Sequence, residues 1–324
     1  MVIPDPVTPV RRPCHVRLCF LLLSLLGNIF LLSATDIPAA KDRLRVLVSL
    51  PAYFSWTSQI GGRWVTVEPL LPDNADPHQF QFRPRDLQRL RTANLIVLNG
   101  AGLEDWLKPV LQKQSPDSAS KIVEISSSYP RSNWIFDGHP GDGETPSIQP
   151  RDTTGFPNPH FWLDPVFAAY AVTNLLHILQ DAAPAHADAF RTNASVYLDR
   201  LRKLDADFIA FRKPLQSPTI VTVHPAFPYL CQRYQLPLIG TLEIVPGVEP
   251  SPRHLSNLIR EIRAHGVTTL FVETHSDSRL AKQLASDLNL STAELDTLET
   301  GAWSPSGYED GMRRNLSTLT RCLH

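Results

Sequence analysis

Cysteine is scarce in this 324-residue chain, with four in all. Only Cys231 and Cys322 lie beyond the first 34 residues, so a multi-bridge disulfide scaffold is excluded. Excess charge of either sign is also missing: 31 basic residues face 32 acidic ones. A near-neutral chain without a basic stripe does not fit a nucleic-acid partner. No His-Glu-x-x-His stretch occurs, which removes the short motif that sets two zinc ligands on one helix. Beyond the N-terminus no second long apolar run is found.

The one apolar run that is present comes first. Arg11, Arg12 and Arg17 precede or open "LCFLLLSLLGNIFLLSA", which ends in small residues before Thr35 and Asp36. Basic start, apolar middle and small-residue end are the pattern of a secretory signal. The run falls somewhat short of the ~20 residues of a membrane span. Cys19 sits too early in it to be a lipid-modified cysteine at the cleavage point. Residues 1–34 are therefore expected to be a cleavable signal peptide, and the rest a periplasmic protein. In that oxidising compartment Cys231 and Cys322 permit one disulfide without demanding it. Cys231 follows His224 on a helix and Cys322 ends the last helix, and on that placement a bridge is expected.

From Lys41 onward, short β-branched runs alternate with amphipathic stretches. "LRVLVSL", "RWVTVEPL", "LIVLNG" and "KIVEIS" read as strands, with "AYFSWTSQIGG", "RDLQRLRTA" and "GLEDWLKPVLQK" as helices. Such alternation predicts an α/β fold with mostly parallel sheet. The pattern breaks at residues 126–159, rich in Pro, Gly, Ser and Asp, which reads as a long surface loop. Two helical segments follow. In the second, Phe190, Tyr197, Leu201, Leu204, Phe208 and Phe211 recur at three- and four-residue spacing. Alternation resumes with "TIVTVH", "LPLIGTLEI", "VTTLFVET" and "STAELD" as strands. The expected organisation is an N-terminal α/β domain (35–183), a long rigid linking helix (184–215) and a C-terminal α/β domain (216–324).

Residues able to do chemistry sit where such sheets place their sites. His78 lies in the Pro-bracketed loop "ADPHQFQFRP", His160 in "NPHFWLDP", and His224 directly after "TIVTV". Asp296 follows "STAEL" in the same way. Ligands of open α/β sheets bind beyond the carboxyl ends of strands, and clefts between domains are preferred sites. Three imidazoles and a carboxylate suit zinc. The spacing by itself leaves three unrelated, hydrogen-bonded histidines equally open.

"DPHQFQFRP", "NGAGLEDWL", "PHFWLDP", "TVHPAFPYL", "EPSPRHLSNLIREIRAHGVTTLFVET" and "ELDTLETGAWSPSGYEDGMRRNLSTL" together resemble the zinc- and manganese-binding solute receptors of bacterial ABC importers. The resemblance covers essentially the whole chain after the N-terminal run. It implies two α/β domains bridged by a rigid helix, with a metal in the cleft. Position by position, it implies His78, His160, His224 and Asp296 as the metal ligands. Histidine at the third position implies Zn2+ as the transported ion, since imidazole suits zinc and carboxylate oxygen suits manganese. The chain departs from the family pattern at Thr297, where proline usually follows the aspartate, and at "TLETGAW". A nearby carboxylate or water could stand in for Asp296.

The function implied is a non-enzymatic zinc-binding receptor, most simply a monomer, that delivers the ion to an ABC transporter permease. Manganese is the alternative metal. An exported zinc-dependent hydrolase with Asp296 or Glu273 as base, and a metal-binding adhesin-like surface protein, are the alternative functions. Glu273 and His275 read as supporting polar residues. His139 reads as part of a solvated loop, and His177, His186, His254 and His265 as surface positions on helices. Trp106 and Trp162 read as core or cleft lining.

Overall fold

The computed structural model describes residues 43–323 apart from 82, 84–85, 112–120, 138–154, 245–246 and 275–277. The expected signal peptide, His139 and His275 lie outside the described residues.

Two four-stranded sheets, all parallel within each, organise the molecule. The first is built from β1 (Leu44–Val48), β2 (Val65–Pro69), β3 (Leu95–Leu98) and β4 (Lys121–Glu124), with α1 (Pro51–Gly61), α2 (Asp86–Thr92) and α3 (Lys108–Leu111) as its connections. Its strand order is β2-β1-β3-β4. A short antiparallel pair, β5 (Phe136–Asp137) and β6 (Phe156–Pro157), follows. Two helices come next, α4 (Pro165–Ala182) and α5 (Ala187–Arg212). The second sheet contains β7 (Ile220–Thr222), β8 (Leu238–Thr241), β9 (Thr269–Glu273) and β10 (Ser291–Leu295) in the order β10-β9-β7-β8. Helices α6 (Pro228–Arg233), α7 (Pro252–Ala264), α8 (Arg279–Leu288) and α9 (Gly307–Cys322) complete it.

Helix boundaries follow from their end residues. Asp164 accepts the Val166 N–H at 2.8 Å and Pro165 occupies the first position of α4, where its missing donor costs nothing. Ser251 does the same for α7 by accepting the His254 N–H, and Pro252 follows it. The long helix expected over 184–215 is shorter at both ends. A 3-10 turn over Pro184–His186 precedes it, and α5 proper runs from Ala187 to Arg212.

Helix α5 buries Phe190, Ala194, Tyr197, Leu201, Leu204 and Phe208 and packs against α1, α4 and α9. Full burial of a large apolar side chain contributes ~1.5–3 kcal/mol, more than most differences in helix propensity. Packing therefore fixes this helix. One core joins Val46 and Val97 of the first sheet to Ile220, Phe271 and Leu295 of the second, with the buried face of α5 between them in the same cluster. Among the described residues no helix is long and apolar enough to cross a membrane.

Both sheets have a point where strand order reverses, between β1 and β3 and between β7 and β9. The crevice outside the carboxyl ends of strands at such points is where α/β sheets bind ligands. Cys231 is buried and Cys322 half-buried, and both are free thiols, so the expected bridge is absent. Cys231 instead fills apolar core between Leu230 and Tyr234, where burial pushes its thiol pKa far up.

Candidate metal centre

His78 stands in the loop between β2 and α2, and the loop is held from two sides. Its backbone N–H donates to Asp76 Oδ1 at 2.8 Å, and Trp106 Nε1 donates to the carbonyl of the intervening Pro77 at 2.8 Å. His160 precedes the turn Phe161–Leu163 that leads into α4. Its backbone N–H donates to Asn158 Oδ1 at 3.1 Å, a turn of the same kind. Asn99, at the end of β3, donates to the Pro159 carbonyl at 3.1 Å. His224 lies just past β7, and Thr222 Oγ1 donates to its carbonyl at 2.8 Å.

The three imidazoles converge, and Glu299 joins them. One donor atom from each of His78, His160, His224 and Glu299 lies within 4.8 Å of all the others. His78 Nε2 and His160 Nε2 stand 2.9 and 3.0 Å from Glu299 Oε1. His224 Nε2 stands 3.0 Å from His160 Nε2 and 3.6 Å from Glu299 Oε2. A tetrahedron with zinc–nitrogen distances of ~2.0–2.1 Å has edges of about 3.4 Å. The observed separations bracket that value.

Proton positions at His160 follow from its neighbours. Asn158 Nδ2 donates to Asp137 Oδ1 and Oδ2 at 3.2 and 3.1 Å and to the Pro225 carbonyl at 2.9 Å. That leaves Asn158 Oδ1 as acceptor, 2.9 Å from His160 Nδ1. The proton therefore sits on Nδ1, and Nε2 presents its lone pair to the cluster. At His224, Nδ1 faces Glu273 Oε1 at 3.5 Å on the ring edge away from the cluster. At that distance Glu273 stands behind the imidazole without making a short hydrogen bond to it. Burial and the charge of Glu299 push Glu273 up to about 7.

Burial separates the imidazoles electrostatically. Burial lowers His224 to about 3 and also lowers His160, against the opposing pull of Glu299. At His78 burial acts in the same direction, but the hydrogen bond and charge of Glu299, with Asp76 and Glu273, outweigh it and raise the pKa. Burial would raise Glu299, yet the imidazoles around it hold it well below the usual carboxylate range. The cluster thus offers lone pairs from two imidazoles held neutral, His160 and His224, beside a negative carboxylate, with His78 giving up its proton to an arriving ion, the donor set a divalent ion of borderline softness requires.

Asp296, the fourth ligand that the resemblance implies, is not part of this cluster. Its Oδ1 accepts the Leu298 N–H at 2.9 Å and its Oδ2 accepts from Arg314 Nη2 at 2.8 Å. The chain makes a tight turn there, with Leu298 at φ +58°, and the turn carries Glu299 inward to 5% side-chain exposure. A carboxylate four residues beyond the strand end was available in "TLETGAW", but the direction of a turn is not visible in composition. His254, expected at the surface, is fully buried and its Nε2 stands 2.8 Å from the Thr241 carbonyl. His177 and His265 are exposed, and His186 stacks on Trp64 at 3.8 Å between ring centroids. Trp162 is buried and Trp106 half-buried.

The family model described as "Zinc-uptake complex component A periplasmic" matches residues 46–322. Among curated proteins, the chain is 27% identical over 312 residues to the high-affinity zinc uptake system protein ZnuA of Bacillus subtilis, covering 95% of this chain and 96% of that protein. It is 25% identical to the zinc-binding protein AdcA of Streptococcus pyogenes over 92% of this chain, and spans 60% of that longer protein. Among solved structures, the SBP FpvC of Pseudomonas aeruginosa in complex with Mn2+ superposes with a TM-score of 0.73 at 29% identity, over 87% of this chain and 98% of that one.

Proposed function

The chain belongs to the periplasmic zinc-uptake component A family, and from that premise we propose that it is an exported receptor that binds Zn2+ and delivers it to an ABC transporter permease. The observation that carries this reading is the convergence of His78, His160, His224 and Glu299 within 4.8 Å. Two donors come from the first half of the chain, His78 and His160, and two from the second, His224 and Glu299. An ion held by all four would join the two sheet-centred halves, with α5 as the stiff element linking them.

Zinc is favoured over manganese by donor chemistry. Three nitrogens and one oxygen suit a borderline-soft ion, whereas manganese prefers carboxylate and water oxygens. Four protein donors also close a tetrahedral site, the arrangement of zinc that is held rather than used in catalysis. A zinc hydrolase keeps one position open for water and needs a base beside it. Here the fourth position faces Glu299, and Glu273 lies behind His224. Binding and release, without turnover, is the mechanism this supports.

The test is metal titration of the purified protein. Zinc should bind at one equivalent, and His224→Glu should shift the zinc-to-manganese preference toward manganese. An unchanged preference would reject the ligand argument, and hydrolase activity in the zinc-loaded protein would reject the receptor.

A further inference from the structure

Three of the four donor segments are built on the same local device. In each, an Asp or Asn side chain accepts the backbone N–H two residues later: Asp76 from His78, Asn158 from His160, and Asp296 from Leu298. Such turns fix the backbone direction over three residues. In the first two the donor is the third residue of the turn. In the last it is the residue after it, Glu299.

We propose that Asp296 is a positioning residue for Glu299, held in a cradle on α9, and does not itself bind the metal; this rests on the zinc reading of the cluster. Helix α9 offers Gly311, Arg314 and Asn315, spaced three and four apart and so on one face. Asn315 brackets the backbone of Asp296, accepting its N–H through Oδ1 at 2.7 Å and donating to its carbonyl through Nδ2 at 2.8 Å. Arg314 takes Oδ2 at 2.8 Å while Oδ1 holds the Leu298 N–H. Both carboxylate oxygens are thereby engaged, Oδ1 within the turn and Oδ2 by the helix.

Gly311 makes the approach possible. A Cβ at that position would collide with the Leu298 side chain and stand 3.2 Å from Asp296 Oδ2. Leu298, buried at 5% exposure, sits at φ +58°, a conformation that a leucine adopts only where its surroundings impose it. The Asp296 side chain and the bare helix surface impose it. The same turn is tied to the other half of the site. Trp162 Nε1 donates to the Thr297 carbonyl at 2.7 Å, and Tyr308 of α9 donates to the Trp162 carbonyl at 2.9 Å. The cradle thus sets Glu299 relative to the segment that carries His160.

Zinc affinity by chelator competition, on the full chain and its variants, tests this. E299A should lose more than the ten- to hundredfold typical of a partner that acts through a ligand, and D296A should lose about ten- to hundredfold. D296N, which keeps the oxygen that accepts the Leu298 N–H, should recover at least about tenfold of the D296A loss. In an E299A background, D296A should cost almost nothing further, because the group it positions is gone. Gly311→Ala, which leaves Asp296 intact and crowds Leu298, should show the same dependence on Glu299. A D296N loss as large as that of E299A would make Asp296 a ligand and overturn the proposal. A D296A loss that persists undiminished in E299A would reduce it to general loosening and equally overturn it. Failure of the wild type to bind zinc would instead overturn the metal reading, and the positioning role with it.

Discussion

His78 and the pair His160–His224 supply the same imidazole chemistry from opposite surroundings. The pair is nearly sealed, at 2% and 5% side-chain exposure, and burial holds both rings neutral. His78 keeps 18% exposure and is the one of these three imidazoles whose pKa lies above its ordinary value. The pair grows from segments anchored to buried polar partners, whereas His78 rides on a loop held by Asp76 and Trp106. A site assembled this way has two rigid walls and one door that protons reach first.

Removing a wall should do more than removing the door. His160→Ala or His224→Ala should weaken zinc by more than about a hundredfold, since no solvent can replace a sealed donor. His78→Ala should cost less, because water can take a partly exposed coordination position. Equal losses in competition titrations would break the comparison. Next in size is the metal itself. Zinc at a hundred times its Kd should stabilise the wild type by ~2.7 kcal/mol in thermal or denaturant unfolding, and the gain should vanish on chelation. In His160→Ala it should require far more zinc.

Acidity should act through the door. Only the unprotonated imidazole binds zinc, so a raised pKa at His78 means the ion must displace a proton there first as pH falls. His160 and His224, both lowered, stay free of protons in the same range. Affinity should therefore fall about tenfold per pH unit below the His78 pKa, the slope of a single proton. His78→Ala should flatten that profile, and a two- or three-proton slope near pH 6 would show that the pair is not sealed. The smallest effect belongs to the hinge of the door. Trp106→Phe deletes the hydrogen bond to Pro77 and should cost ~1 kcal/mol, roughly fivefold in affinity.

Much of this was legible in the sequence because it depends on local pattern. Parallel α/β alternation and the apolar stripe of α5 each follow from short-range residue chemistry. The convergence of His78, His160 and His224 was legible only once the family resemblance was added, since proline brackets or a strand end mark each but leave unrelated histidines equally open. Glu299 was not, because Asp296 stands at the strand end where a ligand is expected. Its diversion depends on Arg314, Asn315 and the missing side chain at Gly311, which arrive from a helix 15 to 19 residues away. The repeated turn in "ADPH" and "NPH" offers the one local clue, since in both the acid or amide makes the turn and the histidine that follows points into the cluster. His254 was misread as surface because its helix repeats apolar residues on a face that the histidine shares.

The positions joined at the cluster also set an order of events in folding. His78 and Glu299 are 221 residues apart in sequence, and the segment leading into α9 is fastened to the first half by Ser55 Oγ, which donates to the Pro305 carbonyl 250 residues away. Contacts of such separation form late, because the entropy of closing the intervening chain has to be overcome before they stabilise anything. A chain whose last helix has not yet docked therefore lacks the complete four-donor cluster, because the turn that carries Glu299 is held by that helix. The full donor set is then a property of the finished molecule, and a C-terminally clipped chain should compete poorly for zinc with its intact neighbours.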